Sequence, residues 1–158
     1  MQKTSENQNQ QTANSEFAIQ RIYVKDLSYE APNTPSMFKP EWEPQVDFNM
    51  GVDIYKLDAE AHEVVLKVTV TVKSKEKHAF LIEVKQAGIF TLKNFPEEQL
   101  KYMLGTYCPN ILFPYVRELV SEIVTRGTFP PLYLTPVNFD ALYQKHVEQE
   151  KEKGQKTH

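Results

Sequence analysis

Residues 62–90 read HEVVLKVTVTVKSKEKHAFLIEVKQAGIF, and this stretch decides the fold class. From residue 64 to residue 72 every second side chain is valine or leucine, and the side chains between them are mostly polar. This alternation with a period of two predicts a strand with one buried face. The short polar link at residues 73–78 is typical of a hairpin, and residues 79–90 return with the same alternation. The stretch therefore predicts two antiparallel strands that share a buried face.

Two further strands are predicted upstream of this hairpin. Residues 45–57 alternate apolar and polar side chains, which is typical of a half-buried strand. Residues 17–30 are rich in β-branched and aromatic side chains, but these fall on both parities, and the second parity ends in polar residues such as Asp26 and Glu30. We expect this strand to be covered on both faces at its start and wet on one face at its end. Residues 31–44, between the two strands, hold four prolines and predict an irregular loop.

Downstream of the hairpin the apolar period changes to that of a helix. Residues 96–107 carry a first helical stripe, and from Pro109 onward apolar residues come in pairs every four positions. Pro109 predicts the start of this second helix, Pro114 a kink within it, and Gly127 its end. A third stripe follows an asparagine N-cap at residue 138. The order ββββαα predicts an α+β protein, with a four-stranded antiparallel sheet and two to three helices packed on one face.

The two ends of the chain differ in composition from its body. Residues 1–16 are rich in Gln, Asn, Ser and Thr and predict a disordered N-terminal tail, and residues 148–158 predict a flexible charged C-terminal tail. Residues 17–147 then form one folded domain. Because residues 1–16 hold no apolar segment of the kind found in signal peptides, and no run of about 18 apolar residues follows, we expect a cytoplasmic protein with no direct membrane insertion.

Charge and composition disfavour several functional classes. The net charge of −3 argues against a nucleic-acid partner, which requires a basic surface. A single cysteine excludes an internal disulfide framework and a cysteine-based zinc site. The four histidines make no H-x-x-x-H pair, and the five glycines form no phosphate-binding loop. The sequence therefore predicts no metal and no cofactor.

Cys108 is the natural candidate for a catalytic nucleophile. A thiol enzyme needs a histidine base within hydrogen-bond reach, and none of the four histidines lies in a recognisable base motif. We interpret Cys108 as a small buried side chain next to the helix-starting Pro109, and we predict no catalytic residue. An α+β enzyme that acts on a small molecule through Cys108 stays as an alternative hypothesis.

Large apolar side chains stand in two proline-rich loops. Phe38 and Trp42 lie in the first loop, and Phe129 and Tyr133 lie in a second loop at residues 128–137. These groups either pack as satellites of the core or line a hydrophobic groove between the loops. Several weak pockets of this kind, repeated in an oligomer, would bind long apolar segments with little sequence preference.

Acidic side chains are predicted on the outer face of the sheet. Asp26, Glu30 and Glu83 lie on strand parities that we expect to be exposed, and the apolar Leu81 lies among them. This set is either a solvated face with scattered charge or a docking patch for a basic partner.

The stripe of the second helix is wider than a sheet contact requires. Two apolar residues in every four give the helix more apolar area than the sheet can cover. This excess indicates oligomerisation through the helix.

Three long segments carry a resemblance to a known family. They are RIYVKDLSYEAPN (21–33), EVVLKVTVTV (63–72) and CPNILFPYVRELVSEIVTRGTFPPLYLTPVNFDALY (108–143). These segments closely resemble the SecB family of bacterial export chaperones. The resemblance implies an ATP-independent holdase that binds unfolded precursor proteins in the cytoplasm, keeps them competent for translocation and delivers them to the SecA motor ATPase of the Sec pathway. It also implies a homotetramer, a dimer of dimers with helices between the sheets of opposing dimers.

The resemblance assigns roles to individual residues of this chain. The SecA-binding positions are Asp26, Glu30, Leu81 and Glu83. The groove for unfolded clients is formed by Phe38, Trp42, Val46, Phe48, Met50, Phe129 and Tyr133. The positions tied to subunit association are Ile82, Val84 and Gln86, and the helical stripe adds Leu112, Val116 and Leu119.

The resemblance leaves one departure and one alternative. Better-known SecB proteins end in an acidic tail that also contacts SecA, whereas here the acids of residues 148–152 are balanced by Lys151, Lys153 and Lys156. This balance indicates a different charge chemistry at the C-terminus. The alternative function is a SecB-like chaperone dedicated to a toxin–antitoxin partner, and retention of all four docking positions favours the general chaperone.

Overall fold

A computed structural model describes residues 14–156; residues 1–13, which hold most of the predicted N-terminal tail, and residues 157–158 lie outside the described residues. Four strands form an antiparallel sheet, which confirms the predicted fold class. The strands are β1 (Glu16–Glu30), β2 (Pro44–Lys56), β3 (Ala61–Ser74) and β4 (Lys77–Lys93). Their order across the sheet is β1-β4-β3-β2, so the predicted hairpin of β3 and β4 occupies the centre and β1 and β2 form the edges.

The register gives the sheet two faces of opposite character. Val68 of β3 lies opposite Met50 of β2 and Val84 of β4, and this row belongs to the inner face, on which the helices pack. The next residue of β3, Thr69, lies opposite Glu83, and this row belongs to the outer face. Because successive side chains of a strand point to opposite sides, the alternation in the sequence becomes an apolar inner face and a more polar outer face.

Strand β1 contains two β-bulges that the sequence pattern does not reveal. Its register against β4 shifts at Gln20 and at Lys25, each of which is an extra residue without a partner in β4. An extra residue moves the following side chains to the other face of the sheet. Apart from Tyr23, the large apolar residues of both parities therefore lie on the inner face. These residues are Phe17, Ile19, Ile22, Val24, Leu27 and Tyr29. The prediction that both faces are covered at the start of β1 is wrong, whereas the exposed outer face predicted for its end is confirmed.

Residues 97–126 form a continuous helical stretch. It consists of α1 (Glu97–Tyr102), a π-helical turn (Met103–Tyr107) and α2 (Cys108–Arg126). The separate helix start predicted at Pro109 is therefore wrong. Pro109 has no N–H to donate, and its ring crowds the preceding turn. The π-helical turn accommodates it: the N–H of Cys108 bonds to the carbonyl of Met103, five residues back, so the helix is widened just before the proline.

Helix α2 covers the centre of the inner face. Its buried residues recur every four positions, from Cys108 through Leu112 and Val116 to Val124, and they pack on β3 and β4. The α-helical pattern continues through Pro114, and the widened turn lies before Pro109; the kink at Pro114 stays a prediction. Because α2 packs mainly on the two central strands, much of the inner face of β1 is left uncovered.

The end of α2 differs from the predicted glycine terminator. Gly127 has φ −74° and ψ −3°, which any residue can adopt, and the left-handed conformation falls on Thr128 with φ 60°. Space rather than backbone conformation favours glycine at position 127, because a Cβ there would collide with the hydroxyl of Tyr29 unless that side chain shifted.

The last helix, α3 (Phe139–Gln155), begins where the sequence predicts and extends into the predicted C-terminal tail. Asn138 is its N-cap, as predicted, and its side chain accepts a hydrogen bond of 3.0 Å from the N–H of Ala141. The helix then runs to Gln155, so residues 148–155 of the predicted flexible tail are helical and exposed. Among residues 14–156, no helix combines the length and the apolar character needed to cross a membrane.

Candidate functional site

The two proline-rich loops meet over one end of the inner face. Phe129 of the second loop is 5% exposed, and its ring lies 5.3 Å from that of Phe38, 5.6 Å from Trp42 and 5.0 Å from Phe80 of β4. Phe129 is therefore the floor of this cluster, on which the first loop rests. Phe38 and Tyr133 remain exposed, at 50% and 67%, and are the side chains that a bound molecule can reach.

The inner face of β2 continues the apolar surface away from the loops. Val46, Phe48 and Met50 lie opposite buried valines of β3, but each keeps part of its surface exposed because β2 is an edge strand. The same row of side chains runs on to Ile54, a distance of about 27 Å at roughly 3.4 Å per residue. Six of the seven residues of the predicted client groove therefore lie in the loop cluster or along this strand, and Tyr133 lies exposed in the second loop.

A cavity of about 600 Å³ lies between the far half of β2 and α3. This wall was not among the predicted groove residues, although the alternation of β2 extends through Val52 and Ile54, and α3 carries a matching stripe at Leu142 and Val147. These two patterns were the signals that could have located the cavity. With a second cavity of about 480 Å³ between Phe48 and α3, it forms an apolar groove along β2.

Helix α3 is held over this groove near its N-terminus. The ring of Tyr143 packs so closely on Gly105 that a Cβ there would lie 2.9 Å from its Cδ2 atom. The hydroxyl of Tyr102 donates a hydrogen bond to the carboxylate of Asp140. At the opposite end of the cavity wall, Nε2 of His146 lies 3.1 Å from the carboxylate of Glu150.

The four predicted docking residues lie together on the outer face of β1 and β4. Glu30 is directly opposite Leu81, and Glu83 lies opposite the residue midway between Asp26 and Glu30. The three acids are exposed and Leu81 is half-buried. In the described part of the chain, none of these three carboxylates forms an ion pair. The patch therefore presents three carboxylates without ion pairs around an apolar centre, with Lys85 directly opposite Asp26 at its edge.

At the other end of the outer face, the carboxylate of Glu63 is neutralised by a lysine. Glu63 pairs with Nζ of Lys25 at 2.7 Å and also accepts a hydrogen bond from the hydroxyl of Tyr23. The hydrogen bonds from Lys25 and Tyr23 lower the pKa of Glu63 below its ordinary value. Burial, with the Glu63 carboxylate, raises the pKa of Tyr23 to about 12. Tyr23 lies opposite Ala87, so this network of β1 and β3 reaches across β4.

The predicted oligomer positions are mostly internal to the single chain. Five of them are at most 3% exposed and belong to the sheet or to the buried stripe of α2: Ile82, Val84, Gln86, Leu112 and Val116. Their burial leaves no surface for direct contact with a second copy. Leu119 is half-buried. An exposed apolar surface does lie on the inner face of β1, where Ile19, Val24 and Leu27 are 47%, 49% and 38% exposed.

Cys108 is placed where its thiol cannot act as a nucleophile. The side chain is fully buried under α2, and burial raises the pKa of the thiol to about 12. At neutral pH the reactive thiolate is therefore scarcely populated. Among the described residues there is no group of three or more His, Cys, Asp or Glu side chains arranged to hold a metal ion.

Relatives at high identity match the chain over most of its length. It is 53% identical over 140 residues to the protein-export protein SecB of Methylococcus capsulatus, covering 89% of this chain and 90% of that protein. It is 52% identical over 148 residues to the protein-export protein SecB of Legionella pneumophila, covering 94% of this chain and 91% of that protein. These identities favour the export chaperone over the dedicated toxin–antitoxin chaperone.

A solved structure shares the fold at low identity. It is a Mycobacterium tuberculosis SecB-like chaperone in complex with a ChAD peptide from the HigA1 antitoxin, 20% identical, with a TM-score of 0.65 over 77% of this chain and 90% of that one. The family model for preprotein translocase subunit SecB matches residues 8–150. The sheet, the covering helices and these matches lead to one conclusion: the chain belongs to the SecB family.

Proposed function

We propose that this protein is a cytoplasmic, ATP-independent holdase that binds unfolded precursor proteins and delivers them to the SecA motor of the Sec export pathway. The observation that carries the proposal is the apolar groove, which runs from the exposed Phe38 along β2 to the cavity under α3. Membership of the SecB family and the names of the relatives support the export role. The protein acts by binding, and we propose no catalytic step and no cofactor.

Apolar burial would supply the affinity for clients. Each fully buried aromatic or aliphatic side chain contributes about 1.5–3 kcal/mol, so a few client side chains in the groove suffice for binding without a fixed sequence. β2 is an edge strand with only β3 as its neighbour, so its outer edge offers unpaired backbone groups to an extended client. Main-chain pairing of this kind adds affinity that does not depend on client sequence.

SecA would engage the docking patch formed by Asp26, Glu30, Leu81 and Glu83. The three unpaired carboxylates suit a basic surface, and Leu81 offers an apolar contact at the centre. Engagement at this outer face would trigger client release without nucleotide hydrolysis in this chain.

We further propose a homotetramer, assembled as a dimer of dimers. The uncovered inner face of β1, with Ile19, Val24 and Leu27, is an exposed apolar surface suited to association. The buried positions Ile82 and Val84 would support assembly by holding α2 in place. Val24→Lys should lower the oligomer mass measured by light scattering, whereas an unchanged tetramer would exclude this face from the interface.

The direct test of holdase activity is suppression of aggregation without nucleotide. A guanidinium-denatured protein, such as citrate synthase, is diluted into buffer with and without this chain, and light scattering is followed. We expect stoichiometric chain to suppress aggregation equally with and without ATP. Undiminished aggregation, or suppression only with ATP, would refute the proposal.

A further inference from the structure

Gly127 is a glycine whose backbone does not require glycine. Its φ of −74° lies in the ordinary right-handed region, and the neighbouring Thr128 takes the left-handed conformation at φ 60°. The reason for glycine is instead space. A Cβ at this position would collide with the hydroxyl oxygen of Tyr29, and it would lie 3.2 Å from Cζ of Tyr29 and 3.1 Å from Cδ2 of Phe129.

Tyr29 fills the space between strand β1 and the start of the second loop. It lies on the inner face opposite Ile82, and its ring is 6.5 Å from that of Phe80. Burial raises the pKa of its hydroxyl, which accords with a phenol packed against protein. Phe80 in turn contacts Phe129 at 5.0 Å. Tyr29 thus touches both the backbone that leads into the second loop and the side chain beneath Phe129.

We propose that Tyr29 and Gly127 are positioning residues of the client groove. The Tyr29 ring abuts the α-carbon of Gly127 and sets the path of residues 127–129, and this path places Phe129 under Phe38 and Trp42. Both residues are half-buried and lie beside Phe129, and their effect on clients is exerted through Phe129. This inference rests on the proposed client-binding function and adds to it the element that sets the groove geometry.

The test is the substitution Gly127→Ala, read by client affinity and by fluorescence. The client probe is reduced and carboxymethylated α-lactalbumin, which stays unfolded in buffer. We expect the variant to bind it about tenfold more weakly, equivalent to about 1.4 kcal/mol. Trp42 is the sole tryptophan of the chain and lies on Phe129, so its emission should shift to longer wavelength as this packing loosens. SecA affinity at the outer face should stay unchanged, which a general loss of structure would not allow.

The matched control is Gly154→Ala in α3. This glycine of α3 has no atom within 4 Å of a Cβ, so alanine there should leave client affinity and Trp42 emission unchanged. The rescue variant combines Gly127→Ala with Tyr29→Phe, which removes the oxygen that collides. We expect the double variant to recover most of the affinity lost in Gly127→Ala.

Two results would overturn the inference. One is client affinity in Gly127→Ala equal to that of the original protein; the other is a loss that Tyr29→Phe does not reduce. Should Gly127→Ala fail to fold, Tyr29→Leu keeps the glycine and removes the spacer ring, and unchanged affinity in that folded variant would also contradict the proposal. If the original protein does not bind the probe at all, the proposed function fails, which is a separate outcome from failure of the variants to differ.

Discussion

The indole ring of Trp42 lies 5.6 Å from the ring of Phe129, inclined by 33°, so that the first proline-rich loop rests on a buried residue of the second. This contact shows that the aromatic residues of the two loops have different roles. Phe129 is a support, whereas Phe38 is half exposed and Trp42 keeps part of its surface exposed. The two classes of residue should therefore respond differently to substitution.

Removing the open aromatics should weaken client binding and leave the fold intact. In the double variant Phe38→Ala with Trp42→Ala, we expect the dissociation constant for an unfolded client to rise about thirtyfold, corresponding to about 2 kcal/mol of lost apolar contact. Tetramerisation should be unaffected. Tyr55→Ala is the matched control, because Tyr55 is also 50% exposed but lies on the outer face. Titration by fluorescence anisotropy gives both constants, and equal affinities would contradict the groove assignment.

Reversing one charge in the docking patch should abolish SecA binding and spare client binding. Glu83→Lys places a cation beside Glu30 and Asp26, where the proposal requires negative charge. Asp53→Lys makes the same change in net charge on the same face, but at a carboxylate already paired with Lys67, so SecA affinity should be largely kept. Surface plasmon resonance at two salt concentrations measures both variants. If Glu83→Lys retains SecA affinity, the patch lies elsewhere.

The Glu63 network should give a pH-dependent contribution to stability. Its hydrogen bonds from Lys25 and Tyr23 hold the pKa of Glu63 below the unfolded value, so protonation favours the unfolded state. The contribution is fully present above the unfolded pKa and is lost as pH falls through the folded pKa. Glu63→Gln should lower the free energy of unfolding by about 1 kcal/mol at neutral pH. Urea unfolding from pH 7 down to about pH 3 should show the difference in free energy of unfolding shrink at the acid end; a constant difference would exclude this ionic origin.

Cys108 should be inert in the folded protein. With its pKa raised to about 12, only about one thiol in ten thousand is ionised at pH 8. Mass spectrometry after exposure to iodoacetamide should find no alkylation until urea unfolds the chain. Cys108→Ala should keep client and SecA binding. Rapid modification of the folded protein, or loss of function in this variant, would revive the hypothesis of a thiol enzyme.

Strand and helix periods predicted the architecture because burial imposes them directly. The valines of β3 and their partners in β4 recur every second residue, and the sheet has only one covered face. The faces of strand β1 could not be predicted from the alternation, because two bulges move the following side chains to the other face and bulges have no signature in the composition. The continuity of the helical stretch was also not predictable, since a proline usually indicates a helix start. Here a π-helical turn accommodates the proline within a continuous helix.

The sequence predicted those parts of the candidate site for which the family resemblance and the expected exposure indicate the same residues. Asp26, Glu30 and Glu83 were expected on one outer face, and the register brings them together. The support role of Phe129 and the wall supplied by α3 depend on which distant segments meet, and spacing along a strand or helix does not encode that. The space restriction at Gly127 has the same origin, because the residue that requires it, Tyr29, is far away in sequence.

Native mass spectrometry of the protein with one client in two states tests the central claim most directly. The client is α-lactalbumin, offered either folded or reduced and carboxymethylated. The account predicts a tetramer of the 18.4 kDa chain that forms a complex with the unfolded client without nucleotide and shows none with the folded form. A monomer, or equal binding of both client states, would contradict it.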